Sequence, residues 1–314
     1  MKAFTDLENP LSIKNPILTI GTFDGVHVGH QTILNQINKI ADEVGGESTL
    51  FTFHPHPRMV LFPDDTNLKL IQTQGEKLEK LERFGLKNIV RYPFTKEFSR
   101  LTATEFVRDF LVNKIGVHTV VIGYDHQFGR NRQGTLEVLH ELSEVYGFNV
   151  EEISAQTINE VNVSSTKIRR AIEKGEMEVA AKYLGEPFVL TAVVGGGKKI
   201  GRTIGFPTAN LTQIEKHKIL PGVGVYLVKV KIEGEVYYGM LNNGNRPTID
   251  NDSASVLEVH IFDFEKEIYN HQIQVQFLKK IRNEVKFESK AELSEQLTKD
   301  EENCRNLIEH FSMY

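Results

Sequence analysis

The chain has 314 residues, 40% of them apolar and 25% charged, a net charge of −5 and one cysteine, Cys304. These totals exclude a general nucleic-acid binder, which needs a basic footprint, and an intrachain disulfide, which needs two thiols. The length favours two domains over a single core.

The start, "MKAFTDLENPLSIK", lacks the basic and apolar regions of a signal peptide. No apolar run approaches the length of a membrane span. The expectation is a cytoplasmic protein with neither membrane nor nucleic acid as partner. Strand and helix signals then alternate. "PILTI" reads as a buried strand, and the stretch after it sets Ile33, Leu34, Ile37 and Ile40 on one helical face. "STLFTF" and "NIVRY" are strands, with the helix "EKLEKLERFG" between them stopping at Gly85. "TATEFVRDFLVNKIG" is a helix with a capping box at Thr102 and Glu105, ending before Gly116. "HTVVIGY", "TLEVLHELSEVYG" and "FNVEEI" follow as strand, helix and strand. This alternation predicts a doubly wound parallel sheet with helices on both faces. Ligands of such sheets sit at the carboxyl ends of the strands.

"TKIRRAIEKGEMEVAAKYLG" reads as two short helices around Gly175. Near Pro187 the pattern changes. "FVLTAVVGGG", "GVYLVKVKIE", "EVYYGML", "SVLEVHIFDF" and "IQVQFLKKI" are β-rich, with a tight hairpin turn at Glu233-Gly234. They predict a small antiparallel β-barrel. A last helix, capped by Ser289 and Glu292, carries the stripe Leu293, Leu297, Cys304, Ile308, Phe311. The fold class is therefore α/β, with a doubly wound parallel-sheet domain over residues 1–184. A small antiparallel β-barrel with a terminal helix covers residues 185–314.

"GTFDGVHVGH", Gly21 to His30, occupies the turn after the first buried strand. A helix start offers unpaired N–H groups and a positive dipole end, and glycines let a polyanion approach the backbone. His27 and His30 at that start add donors able to stabilise charge developing on one phosphorus. Attack on the α-phosphate of a nucleoside triphosphate is the chemistry this suits. A lone histidine at a strand end is more often structural. A catalytic zinc site needs a third protein ligand that no stretch clearly supplies, and "HPHP", His54 to Pro57, reads as a rigid extended loop. The spacing does not match the dinucleotide fingerprint. "VSSTKIRR" sets Ser164, Ser165 and Thr166 ahead of a helix whose start is crowded by Lys167, Arg169 and Arg170. An ordinary cap explains the hydroxyls, but the dipole disfavours these cations unless an anion binds there.

"GTFDGVHVGH" with "SSTKIR" downstream resembles the HxGH nucleotidylyltransferase superfamily. "VIGYDHQFGRNRQG" and "FTFHPHPR" are similar to segments of the prokaryotic bifunctional flavin-nucleotide enzymes.

In the second half, "VVGGGKKIGRTIGFPTAN" has five glycines with Lys198, Lys199 and Arg202, which suits a loop wrapping phosphate or, equally, a mobile hairpin. Thr208 and Asn210 offer hard oxygens suited to Mg²⁺ shared with phosphates, or serve as turn caps. In "SVLEVHIFDF", Val256, Glu258, His260 and Phe262 share one face, while Leu257, Val259 and Ile261 face the core. Glu258 is either a solvent-facing strand residue or, if that face lines a pocket, a base for an attacking hydroxyl. Arg246 in "NNGNRPT" can reach phosphate.

These segments resemble the riboflavin kinase family. With the first half, they identify the chain as similar to the bacterial bifunctional riboflavin kinase/FMN adenylyltransferase family. The resemblance implies ATP-dependent phosphorylation of riboflavin to FMN, then adenylylation of FMN to FAD with release of pyrophosphate. It implies Mg²⁺ at Thr208 and Asn210, Glu258 as base, and His27 and His30 at the α-phosphate. It further implies that Gly21, Phe23, Asp24, Gly29, Asp125, Ser165, Thr166 and Arg169 bind the adenylyl-transfer ATP. Gly195, Gly197, Lys199, Gly201, Arg202, Asn243 and Arg246 would bind ATP or flavin in the kinase. The sequence departs from the family pattern at His54, His126, Gln127 and Asn270, none of them assigned to chemistry. A monofunctional riboflavin kinase and a non-enzymatic flavin sensor are the competing readings. The oligomeric state is not legible.

Overall fold

The computed structural model describes residues 1–65, 68–123, 126–153, 163–196, 201, 204–245 and 255–311. It divides into two compact units, residues 1–68 with 77–164, and residues 69–76 with 165–314.

The first unit holds six parallel strands: β1 (Lys2–Phe4), β2 (Pro16–Ile20), β3 (Glu47–Phe53), β4 (Asn88–Tyr92), β5 (Thr119–Gly123) and β6 (Asn149–Ile153), in the order β1-β4-β3-β2-β5-β6. Helix α1 (Val28–Val44) follows β2, and α3 (Gln74–Arg83) precedes β4. Between them lies α2 (Pro57–Leu61). Helix α4 begins at Ala103–Phe106 and continues as a π-helix over Val107–Ile115; α5 spans Leu136–Tyr146.

Alternating strand residues feed two cores. Ile17, Leu50, Ile89 and Val121 pack with Leu34, Ile37 and Ala41 of α1 and Leu81 of α3. Leu18, Phe51, Val90, Val120 and Ile122 pack with Phe106, Val107 and Leu111 of α4 and Leu139 of α5. A sheet buried on both faces explains why its strands read as apolar runs rather than alternating ones. Gaps at such positions are costly, about 2–5 kcal/mol for Leu→Ala. The Thr102–Glu105 capping box is present in both directions.

The second unit holds a closed barrel of β7 (Phe188–Gly195), β8 (Ala209–Thr212), β9 (Gly224–Ile232), β10 (Glu235–Asn245), β11 (Ser255–Ile261) and β12 (Gln272–Arg282), in the order β10-β11-β8-β7-β12-β9. All its pairings are antiparallel. Helices α6 (Ser165–Lys174) and α7 (Met177–Leu184) flank Gly175, whose φ of 77° is left-handed. The last helix, α8 (Lys290–Phe311), packs Leu297, Cys304, Leu307 and Ile308 on Val225, Leu227, Met240, Phe262 and Leu278. Ser289 caps it by accepting from the Glu292 N–H, while the Glu292 carboxylate accepts from the Glu288 N–H.

Four local features depart from the sequence expectations or were absent from them. β1 is a short, mostly exposed edge strand with no apolar run to announce it. β8 lies where the sequence suggested loop. "HPHP" leads into α2, with His56 accepting from the Arg58 N–H as its cap. Phe262 lies just beyond the end of β11 and is buried in the cluster that α8 covers.

Candidate functional site

In the first unit the chain leaves β2 toward β3 on one side, and β5 lies on the other. That is the switch point where doubly wound sheets open a crevice. "GTFDGVHVGH" fills the turn there. Phe23 and Val26 adopt φ of 49° and 39°, a conformation side-chain-bearing residues avoid. Strain of this kind is characteristic of functional turns.

His27 is the N-cap of α1, and its Nδ1 accepts from the His30 N–H at 3.4 Å. An accepting Nδ1 carries no proton, so the proton of the neutral ring sits on Nε2. The His27 and His30 rings stack at 3.6 Å between centroids, and His30 stacks on Phe23 at 4.3 Å. A side chain at Gly29 would press on the His27 ring, its Cβ 3.3 Å from Nδ1. Phe23 is thus a buried support for the imidazoles, and Gly29 gives them room.

Both imidazoles are held neutral. Burial, then Lys80, lowers His27 to about 4, partly offset by Asp24. Burial, then His27, Lys77 and Lys80, push His30 well below the ordinary histidine range. A neutral imidazole can donate an N–H but brings no positive charge. The Nδ1 of His30 is shielded from solvent and has no hydrogen-bond partner among the described residues.

Three cations lie beside this turn. Lys77 and Lys80 on α3 are buried, and Arg91 at the end of β4 is half-buried. Lys77 Nζ donates to the Thr22 carbonyl at 2.8 Å and to Thr52 Oγ1 at 2.9 Å. Lys80 Nζ donates to the Gly25 carbonyl at 3.4 Å. Sequence reasoning missed these lysines. The signal is their i, i+3 spacing in "EKLEKLERFG", which also fits a solvated helix face.

Of the other residues expected at this site, Gly21 ends the turn's approach from β2, its N–H donating to the Phe51 carbonyl, and Asp24 is buried. Ser165 opens α6 in the second unit, with Thr166 exposed beside it, and Arg169 Nε donates to the Lys69 carbonyl at 2.7 Å. Asp125 lies outside the described residues.

In the barrel, Asn210 of β8 and Asn242 of β10 are the two cross-strand partners of Glu258 on β11. Directly opposed residues share a face, with Cβ atoms about 4.5–5.5 Å apart. The face is half-buried at these positions, beside the apolar patch that α8 covers. Asn243, by contrast, is buried and donates to the Pro221 carbonyl at 2.6 Å. Its neighbour Asn242, which sequence reasoning passed over, is the one beside Glu258. Strand parity would have separated them.

Thr208 is exposed immediately before β8. His260 Nδ1 lies 2.7 Å from the Pro207 carbonyl, so it donates there and ties β11 to the "FPTAN" segment. Gly201 accepts from the N–H groups of Ile204 and Phe206. A methyl group at Gly201 would overlap the Phe206 carbonyl oxygen. Gly195 is the partner of Asn210 on β7. Gly197, Lys199, Arg202 and Arg246 lie outside the described residues. A cavity of about 290 Å³ opens beside Thr208, lined by Val194, Pro207, Ala209, Val259 and Ile261 and by the loop from Phe264 to Tyr269. Its apolar floor and polar loop suit a heteroaromatic ring. Thr208 and Asn210 supply neutral hard oxygens, and no cluster of three His, Cys, Asp or Glu fit for a metal occurs among the described residues. Such donors fit Mg²⁺ only when phosphate oxygens complete its shell.

A family model described as FAD synthetase matches residues 10–167, and one described as riboflavin kinase matches residues 184–308. The chain is 37% identical over 291 residues to the bifunctional riboflavin kinase/FMN adenylyltransferase of Listeria monocytogenes, covering 93% of this chain and 92% of that one. It is 39% identical over 290 residues to the protein of the same name from Haemophilus influenzae, covering 92% of each. A Streptococcus pneumoniae crystal structure described as a macrolide-efflux protein shares the fold, with TM-score 0.87 and 32% identity, over 97% of this chain and 98% of that one. No helix among the described residues is long and apolar enough to cross a membrane.

Proposed function

This chain belongs to the bifunctional riboflavin kinase/FMN adenylyltransferase family, and on that premise we propose how its residues divide the two reactions. The enzyme phosphorylates riboflavin to FMN and adenylylates FMN to FAD, using ATP in both steps. The observation that carries this is the pair of family matches, one on each half of the chain.

In the barrel, the 5′-hydroxyl of riboflavin attacks the γ-phosphorus of ATP. Glu258 takes the hydroxyl proton, and ADP leaves. The cross-strand neighbours of Glu258 support this role, because Asn210 sets a hard oxygen ligand beside the base. Thr208 and Asn210 would hold Mg²⁺, which neutralises phosphate charge when bound. His260 holds the segment carrying Thr208. The cavity beside Thr208 would take the adenine ring, with Gly195, Gly197, Lys199, Gly201, Arg202 and Arg246 toward ATP or flavin. On the flavin side we favour Asn242 over Asn243.

In the first unit, a phosphate oxygen of FMN attacks the α-phosphorus of a second ATP, and pyrophosphate leaves. His27 and His30, as neutral donors, would stabilise the charge that develops on that phosphate. Asp24, the turn from Gly21 to Gly29, and Asp125, Ser165, Thr166 and Arg169 would bind this ATP. The functional boundary proposed is 184/185, consistent with the match that begins at residue 184. The demand for ATP and the single thiol favour a cytoplasmic setting.

The test is a time course of pure protein with riboflavin, ATP and Mg²⁺, separating the flavins. FMN rising first and FAD second is expected. FMN alone would reduce the first unit to a nucleotide-binding scaffold. Flavin binding without ATP consumption would make the chain a sensor.

A further inference from the structure

Two of the buried lysines, Lys218 and Lys77, are dressed differently. Lys218 Nζ is fully compensated. It donates to the Glu76 carboxylate and to the carbonyls of Ile71 and Val189. Lys77 is 5% exposed, yet its hydrogen bonds go only to the Thr22 carbonyl and Thr52 Oγ1, both neutral. No carboxylate lies within ion-pair distance of it among the described residues. Burying an ammonium this way is costly unless an anion completes the site. Its surroundings are the nucleotide turn itself, since Thr22 lies between Gly21 and Phe23.

We propose that Lys77 is a positioning residue of the adenylyl-transfer site, pinning the turn through the Thr22 carbonyl and supplying beside it the positive charge that a nucleotide phosphate requires. The inference rests on the adenylyl-transfer reading above and extends it to α3. Three observations converge on it. The histidines are neutral, so they leave the charge of a triphosphate uncompensated. His30 Nδ1 is shielded and unpartnered among the described residues, so the pocket still lacks a polar group. Thr52, at the end of β3, braces Lys77 and also donates to the Thr22 carbonyl at 3.4 Å.

The groups facing Lys77 come from three elements. Asp24 from the turn favours its charged form, and Arg91 of β4 opposes it. His30 of α1 is neutral, and Lys80 shares the helix. Burial is the largest influence and lowers Lys77 to about 8. The ammonium is charged below that value and neutral above it, so FAD formation should decline as pH rises through about 8. A bound phosphate would move this limb upward in the saturated enzyme, separating the kcat profile from that of kcat/KM.

The experiment measures FAD formation from FMN across neutral to alkaline pH for the wild type, Lys77→Met, Lys77→Arg and Thr52→Val. Kinase rate and melting temperature of each variant check the fold. Lys77→Met should lower kcat/KM about a hundredfold, as loss of one charge-stabilising donor does, and abolish the alkaline limb. Thr52→Val, which keeps the charge, should keep the limb and most of the rate. An unchanged rate and limb in Lys77→Met would overturn the proposal. So would a Thr52→Val loss equal to that of Lys77→Met, since the role would then be scaffolding alone. If Lys77→Met does not fold, Lys77→Arg decides. Activity kept with the limb displaced upward supports the proposal, and a limb left in place overturns it. Wild-type protein that never forms FAD would instead refute the adenylyl-transfer reading itself.

Discussion

Asn210 and Glu258 stand directly opposite each other on β8 and β11, so an amide side chain and a carboxylate share one face of the barrel. The pairing joins two sequence motifs that lie 48 residues apart by number (258 − 210). It makes Glu258→Ala a clean test. We expect FMN formation to fall by about 10²–10⁴-fold, the usual contribution of a general base. Conversion of added FMN to FAD should continue. Near-normal kinase rates would return Glu258 to an ordinary strand residue.

His30→Ala should have the converse effect. It removes the middle ring of the Phe23–His30–His27 stack and, in the proposed role, a donor worth about 3 kcal/mol, or roughly a hundredfold in rate. FAD formation should drop while FMN formation holds, measured on the same preparation. Unchanged adenylylation would make His30 structural.

The neutrality of His27 predicts an acid sensitivity. In the folded chain it titrates near 4, against an ordinary 6.5. Between those values the unfolded chain binds a proton that the folded chain refuses, so stability falls as pH falls through the window. The slope approaches about 1.4 kcal/mol per pH unit, and the loss is complete below the folded value. His27→Asn keeps an N-cap side chain but cannot protonate. Its melting temperature should therefore vary less with acid pH. An identical profile would assign the acid sensitivity to other groups.

Lys218 and Glu76 predict a stability effect without a catalytic one. Their side chains are 0% and 4% exposed. Glu76 also accepts from the N–H groups of Thr73 and Thr191. Lys218→Met leaves a buried carboxylate without its cation and should cost about 3–5 kcal/mol. The double variant Lys218→Met/Glu76→Gln should recover part of that. Urea unfolding of the full chain measures both, and a cost below about 1 kcal/mol for Lys218→Met would show that the carboxylate finds other partners.

Much of this was legible beforehand, for physical reasons. The parallel strands are apolar on both faces, and the barrel strands alternate, so periodicity exposed both. Asn270, one of the departures from the family pattern, sits at φ 64°, a conformation that asparagine tolerates better than most. What escaped notice had weak local signals. β8 is four residues long and overlaps the "FPTAN" segment. Lys77 and Lys80 look solvated in sequence, and only the fold turns their helix face toward the histidine turn. "TQGE" is a readable capping box, and the structure shows Glu76 and Thr73 exchanging hydrogen bonds there. Nothing local in it announces that Glu76 also answers a lysine 142 residues on.

That separation bears on how the protein is made. Residues 69–76 belong to the barrel's compact unit, yet they leave the ribosome well before any barrel strand. Glu76 must wait, solvated, until Lys218 emerges, although the loop it finally closes costs little more than a shorter one, because closure entropy grows only logarithmically. The barrel's compact unit therefore draws on two separate stretches of message. A fragment starting at residue 185 would lack two of the partners of the Lys218 ammonium, the Glu76 carboxylate and the Ile71 carbonyl.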